Sequence, residues 1–334
     1  MHFEILFLLL VTYFAYHLLF RFAKGLNLID IPNERSSHKL PTVRGFGLVI
    51  FASIGLTLLV FRPTMYLEHT FLLCSVLLIG LLGLVDDIKE TPPFIKIVTL
   101  IVVCMFLYAE GFLITSLGIY LGVSLDLNLM AAILFSTGAI VIFTNAFNLI
   151  DGLDGLSGLV SIIIFLSFLF IGINNNDQLL IVIPILFISS LGVFIVYNWH
   201  PAKVFLGDSG SLMIGFVISV LGVRSLEYIE PISILYITLV PIIDVLFVYF
   251  RRIFEGNSPF KADKFHCHHI ILEYFNGSVN KTVIFIAIIQ LLSSVIGVLF
   301  VAKVSDSFIA LLAFLIIFVL IYKFLNRIKH NLLN

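Results

Sequence analysis

The chain has 334 residues, of which 60% are hydrophobic and only 12% charged, and its mean hydropathy is +1.16. That composition excludes a soluble globule of this length and points to a multi-pass helical membrane protein. The formal net charge of −1 gives no nucleic-acid signal, so the distribution of charge along the chain carries the information. Three cysteines, Cys74, Cys104 and Cys267, are too few and too scattered for a disulfide framework.

A membrane-crossing helix needs roughly 20 mostly apolar residues. Eleven such runs are predicted, at about 3–21, 45–62, 68–85, 94–111, 128–147, 156–174, 179–198, 209–225, 231–252, 281–302 and 306–326. The first run lacks a basic leader and a small-residue cleavage site, and so is expected to be a retained span and not a signal peptide, the mature chain starting near residue 1. Pro92-Pro93, Asn174 to Asp177 and several glycine-rich islands break the chain where helices should stop. Between the fourth and fifth runs, Gly118 to Asn128 alternates apolar and polar residues, which predicts a short hairpin. The expected fold is all-α, a single polytopic membrane domain over residues 1–334. Eleven spans place the termini on opposite sides. Sixteen of the 19 Lys and Arg residues then fall on one side, against Arg62, Arg224 and Lys303 on the other. The positive-inside rule makes the richer side cytoplasmic, with the N-terminus outside and the C-terminus inside.

The same assignment gathers every polar island on the cytoplasmic face. Asp86-Asp87 closes the third span. Paired like charges there are costly unless a cation or donor meets them, so they fit a solvated helix end, a metal site or an assisted acceptor site. Asn145, Asn148, Asp151 and Asp154 recur every third residue, which on a continuing helix keeps them near one stripe. Gly152 and Gly155 permit a tight turn or close approach to a ligand. Helix capping would account for one or two of these four, and hardly for all. Gly207-Asp-Ser-Gly-Ser211 opens the eighth span. A glycine-rich turn entering a helix offers free backbone N–H groups to a phosphate, and Asp208 could hold Mg²⁺ against it; the plain alternative is an N-cap. Asp244 is a further island. The loop from Arg251 to Lys281 carries basic residues and His266-Cys-His-His269, either a Zn²⁺ site lacking its usual distant ligand pair or donors for a diphosphate or sugar phosphate. Together these elements make a phosphoryl-transfer kit at the membrane surface.

The strings Arg35 to Gly47, Asp86-Asp87, Asn145 to Leu156, Asn198 to Ser211, Pro241-Ile-Ile-Asp244 with Arg251-Arg252, and Ser258 to His269 resemble, in order, the polyprenyl-phosphate N-acetylhexosamine-1-phosphate transferases (glycosyltransferase family 4). The resemblance is to the branch that starts O-antigen, teichoic acid or common-antigen chains. It implies attack by undecaprenyl phosphate on a UDP-N-acetylhexosamine, for which UDP-N-acetylglucosamine is the default, with release of UMP. It also implies Mg²⁺ (or Mn²⁺) on Asp208, a bacterial inner-membrane location with the site facing the cytoplasm, and a homodimer. Asp86, Asp87, Asn145 and Asp151 match catalytic positions, the aspartate pair flanking the lipid phosphate. Asp154, Asn198 and Phe205 match positions that hold uridine. Asn148, Thr42 and Arg44 also match substrate-binding positions, and His266, His268 and His269 match the loop facing diphosphate and sugar. Val43 and Phe46 depart from the family's proline and glycine, which leaves the first cytoplasmic loop undetermined. Direct in-line attack is favoured, with a covalent route through Asp86 or Asp87 as its alternative. The alternative activities are the muramoyl-pentapeptide phosphotransferase of peptidoglycan synthesis and, outside enzymes, a lipid-linked sugar transporter.

Overall fold

A computed structural model describes residues 1–32, 41–256, 258, 266–304 and 306–333. Parts of two motif strings, including Arg35, Lys39, Lys261, Asp263 and Lys264, lie outside the described residues. In chain order the elements are α1 (His2–Phe22), β1 (Ile29–Asp30), β2 (Thr42–Val43), α2 (Phe46–Phe61), α3 (Pro63–Glu68), α4 (Thr70–Ile88), α5 (Pro93–Ala109), β3 (Ser116–Tyr120), β4 (Val123–Asp126), α6 (Leu129–Leu149), α7 (Leu156–Asn175) and α8 (Gln178–Asn198). There follow α9 (Asp208–Ser225), α10 (Ile232–Ile237), α11 (Leu239–Phe254), α12 (Cys267–Tyr274), α13 (Val279–Leu299) and α14 (Phe308–Leu333). The fold is an all-α polytopic membrane protein. Among the described residues α1, α4, α6, α7, α8, α13 and α14 are long and apolar enough to cross a membrane, and α2 and α5 are shorter apolar helices.

Each predicted run is helical, with two departures. The ninth is broken at Thr238 into α10 and α11. Hydropathy misses the break because the residues on both sides are apolar; Pro241, which has no N–H to donate, sits in the first turn of α11, where that loss costs least. The last run continues to Leu333, well past the apolar stretch. The predicted hairpin is β3 paired antiparallel with β4.

Helix α9 is the axis of the bundle: fourteen of its eighteen residues are buried. It packs against α2, α4, α6, α7 and α8. Small residues permit this. A Cβ on Gly215 would lie 2.8 Å from the Phe147 Cβ of α6, and close backbone approach through small residues is how helices associate where no water drives them together. Outward-facing residues such as Phe3, Phe14, Leu134, Val196 and Ile309 are largely exposed, as a lipid-facing surface requires.

Polar contacts collect at the two ends of the bundle. At one end Glu4 pairs with Arg62, Glu110 with His69, and Asp177 with Arg224. A polar cavity of about 880 Å³ also opens there. The aspartates and histidines singled out in the sequence lie at the other end.

Candidate active site

The residues between α1 and α2 are stitched onto the segment that enters α9. Thr42–Val43 pairs with Ile29–Asp30, and Val43 also bridges in parallel to Val204. Phe205 N–H donates to the Val43 carbonyl at 2.8 Å, and Gly47 N–H donates to the Leu206 carbonyl at 3.0 Å. Phe46 is fully buried against Tyr16 and Phe194, so a large apolar side chain fills the place where the family pattern has glycine. Gly47 has no such freedom, since a Cβ there would stand 2.1 Å from Gly210 N. This stitching fixes Thr42, which is buried, and Arg44 beside the entry to α9. The Arg44 Nε is buried with no hydrogen-bond partner among the described residues, and its charge acts on Asp87.

The N-terminus of α9 is not an open phosphate cradle. Asp87, only 3% exposed, accepts from Asp208 N–H at 2.8 Å, Ser209 N–H at 3.1 Å and the Ser209 hydroxyl at 2.7 Å. Gly210 and Ser211 N–H groups turn back to the Gly207 carbonyl. The donors expected to meet a phosphate are thus occupied by a carboxylate from α4, which caps α9 from outside its own chain segment. Gly207 has φ +75°, and a Cβ there would sit 2.6 Å from an Asp87 oxygen, so only glycine admits the cap. Of the aspartate pair, Asp87 faces inward as a cap and Asp86 faces the cleft.

Asp86 accepts from Thr91 N–H at 2.7 Å, the Thr91 hydroxyl at 2.5 Å and the Lys96 ammonium at 2.6 Å. Lys96 reaches on to Asp208 at 2.8 Å. One ammonium therefore joins α4, α5 and α9. The sequence alone placed Lys96 only among the loop cations. A signal was present: a lysine in the first turn of an apolar helix opposes the helix dipole, so it needs an anion elsewhere.

Helix α6 ends at Leu149, so the polar stripe is not one continuous helix. Asn145 and Asn148 lie on its last turns, whereas Asp151 and Asp154 lie in the turn before α7. Asn145 donates to its own Val141 carbonyl, and Asn148 donates to the Ser211 hydroxyl of α9 at 2.8 Å. Asp151 accepts from Ser157 at 2.5 Å. Burial, with the negative charge of Asp208, Asp87 and Asp154 nearby, pushes its carboxyl up to about 7 against the opposing Ser157 hydrogen bond. Asp154 accepts from the His200 ring at 2.7 Å and Ala202 N–H at 3.1 Å. Asn198, 4% exposed, accepts from Gly155 N–H and donates to the Val204 carbonyl, both at 2.7 Å. Asn198 thereby locks the α6–α7 turn to the α8–α9 segment that carries Phe205.

The histidine cluster opens α12. The His266 ring lies 2.6 Å from Asp244, whose other oxygen accepts Cys267 N–H at 2.7 Å. Asp244 is 2% exposed, so a buried carboxylate on α11 caps α12 and orients its first imidazole, a role the sequence pattern did not assign. His268 is 3% exposed, and neither ring nitrogen has a hydrogen-bond partner among the described residues. It packs on the α6–α7 turn: a Cβ on Gly152 would stand 2.5 Å from its Nε2. His269 touches the His268 ring, and burial with the neighbouring imidazoles lowers it to about 4, leaving it neutral at pH 7. Among the described residues no three His, Cys, Asp or Glu side chains are grouped to hold a metal ion. An apolar cavity of about 150 Å³ lies behind Asp244 and His268, between α11, α13 and α14.

The arrangement brings Asp86, Asp87, Lys96, Asn148, Asp208 and the α6–α7 turn with His268 to one end of α9. Asn145 is the predicted residue it leaves bonded within its own helix. The chain is similar to known proteins along most of its length. The family model described as glycosyl transferase family 4 matches residues 69–226, which run from α4 through α9. The probable undecaprenyl-phosphate N-acetylglucosaminyl 1-phosphate transferase of Bacillus subtilis (strain 168) is 30% identical, over 90% of this chain and 84% of the relative. The undecaprenyl-phosphate alpha-N-acetylglucosaminyl 1-phosphate transferase of Thermotoga maritima is 29% identical, over 86% and 87% respectively. Its counterpart in Escherichia coli (strain K12) is 28% identical, over 97% and 94%. An identity of 30% sustained across nearly the whole of both chains is family membership, and the chain belongs to the polyprenyl-phosphate N-acetylhexosamine-1-phosphate transferases.

Proposed function

We propose that this protein transfers an N-acetylhexosamine 1-phosphate, with N-acetylglucosamine as the default sugar, from its UDP donor to undecaprenyl phosphate. The products are UMP and the undecaprenyl-diphospho-sugar that begins a cell-surface polysaccharide. The observation that carries the reading is the convergence of Asp86, Lys96, Asp151 and Asp208 at the head of a buried helix, in a chain whose relatives carry that activity in their names. The sixteen-to-three bias of Lys and Arg supports a site on the cytoplasmic side of a bacterial inner membrane.

In the proposed reaction an oxygen of the lipid phosphate attacks the β-phosphorus of the donor. The bond from that phosphorus to the bridging oxygen breaks, and the electron pair leaves on UMP. A phosphate monoester has a second pKa of about 6, so the acceptor is largely dianionic at neutral pH and needs no strong base. Asp86 is already engaged by Thr91 and Lys96, which favours direct attack over an acyl-phosphate on that residue. Asp151, with its carboxyl pushed up to about 7, can hold a proton beside the anionic substrates. His268 is buried against Gly152, its Nδ1 3.8 Å from Asp244 and its Nε2 without a hydrogen bond among the described residues, so Nε2 has hydrogen-bonding capacity to give a phosphate or sugar oxygen. Asp154 and Asn198 brace the turn that shapes the nucleotide end.

The donor set fits Mg²⁺. Two carboxylates, Asp208 and Asp86, converge on a point already neutralised by a cation, and Mg²⁺ commonly takes one or two carboxylates and fills its shell from phosphate and water. When bound it would neutralise the diphosphate and the departing UMP.

The test is UMP release by purified protein given undecaprenyl phosphate, Mg²⁺ and UDP-N-acetylhexosamines one at a time. Release that needs both lipid and metal, from one sugar, is the expected result. No release from any donor by folded, lipid-bound protein would remove the reading.

A further inference from the structure

The Lys96 ammonium lies 2.6 Å from Asp86 on α4 and 2.8 Å from Asp208 on α9. Both carboxylates thus converge on a single ammonium. Without a cation between them they would repel. The lysine extends to this point from the first turn of α5, where the helix dipole opposes a positive charge. The anions hold it there, and its own helix does not.

The ammonium holds the Oδ2 oxygen of each carboxylate, and a divalent ion on Asp208, at about 2.0–2.1 Å for Mg²⁺, would draw on the same negative charge. The ammonium would then stand beside a doubly charged ion, and the two cations would repel and compete for the carboxylates. We propose that Lys96 is an internal counter-ion that keeps Asp86 and Asp208 closed to the metal until the anionic donor arrives. The proposal rests on Asp208 being the metal ligand of the transfer reaction. In the donor-free protein Lys96 offsets the negative charge of the pocket, and a divalent ion entering alone must displace it. A nucleotide diphosphate brings further negative oxygens, which both complete the metal's shell and restore the charge balance once the lysine has moved. Metal and donor therefore enter together, and the free enzyme has low metal affinity.

The test reads metal binding and needs no turnover. Mn²⁺ is titrated into purified protein without nucleotide, and the free ion is followed by its electron paramagnetic resonance signal. Lys96→Met, similar in length and uncharged, should bind Mn²⁺ at least tenfold more tightly than the wild type. Lys96→Gln provides a second uncharged variant and should tighten binding in the same direction. Lys96→Arg, which keeps the charge, should bind as weakly as the wild type. Adding Asp208→Asn to Lys96→Met should abolish the tight binding. If neither uncharged variant binds Mn²⁺ more tightly, while Asp208→Asn still weakens binding by the wild type, the counter-ion proposal falls and Asp208 stands as the ligand. If the Lys96→Met, Asp208→Asn double variant binds as tightly as Lys96→Met alone, Asp208 is not the ligand, and both the proposed metal site and this proposal fall.

Discussion

Two neighbouring carboxylates do different work because successive residues on α4 point in different directions. Asp87 turns inward and satisfies two orphan N–H groups of α9, whereas Asp86 turns to the cleft and meets Lys96. Removing Asp87 leaves buried donors unpaired, so Asp87→Ala should cost about 3 kcal/mol of stability, combining a lost cap with unmet N–H groups. Asp86→Ala should cost less than half of that while still abolishing activity. Thermal unfolding of the two purified variants separates them, and equal losses would contradict the division of roles. Nothing in the sequence distinguishes the two residues, because the partner of Asp87 lies 121 positions further along the chain. Asp151 gives a second expectation. Folding raises its carboxyl from the ordinary value of 3.8 to about 7. Between those values the folded chain keeps a proton that the unfolded chain has lost, so stability present at low pH declines as pH rises towards about 7. Asp151→Asn removes that penalty. Each tenfold change in proton affinity is worth about 1.4 kcal/mol, and the weakened Ser157 bond offsets part of the sum, so the donor-free variant should be about 3 kcal/mol more stable than wild type near pH 8. The gain should vanish near pH 4, and a gain independent of pH would refute it.

At the scale of elements, most of the architecture was legible and the packing at the site was not. Runs of apolar residues carry their own length, so the positions of the helices and the β3–β4 hairpin follow from local pattern. The break at Thr238 and the early end of α6 at Leu149 do not, because the first lies inside a continuous apolar run and the second inside a regular three-residue repeat. The site itself depends on backbone approaches that a sequence shows only as glycine. Gly83 of α4 illustrates this: a Cβ there would stand 2.4 Å from Ser209 Cα and 2.5 Å from the Asp208 carbonyl oxygen. These are backbone atoms of the capped turn and cannot swing aside. Gly83→Ala should therefore destabilise by about 3 kcal/mol or more and push Asp208 away from Lys96. Gly80, one turn earlier on the same helix, would meet nothing within 4 Å. Gly80→Ala should be neutral or slightly stabilising, since alanine is the better helix former. Comparing the two variants by thermal midpoint and UMP release isolates packing at α9 from helix propensity in α4, and similar behaviour would argue against close packing as the reason for Gly83.

At the scale of the whole molecule, the contacts at each end join helix termini that an alternating path through the membrane would put on the same side. Glu4 of α1 meets Arg62 after α2, and Asp177 before α8 meets Arg224 at the end of α9. At the other end, Asn198 closing α8 meets the Gly155 N–H that opens α7, and Lys329 late in α14 meets Glu255 after α11. The proposed reaction draws its UDP-sugar from the cytosol and so needs the aspartates at the cytoplasmic end, which is the side that the Lys and Arg bias favours. Single cysteines can decide it, in a background whose three native cysteines are replaced by alanine. Lys89, after α4, and Ser124, in the hairpin, are both exposed and lie at opposite ends of the bundle. In right-side-out membrane vesicles a membrane-impermeant maleimide should label Ser124→Cys and spare Lys89→Cys, and in inverted vesicles the pattern should reverse. Labelling of both from one side would break the alternating path. Labelling of Lys89→Cys alone from outside would place the aspartates away from the cytosolic donor, and with that the direction of the proposed reaction would be lost.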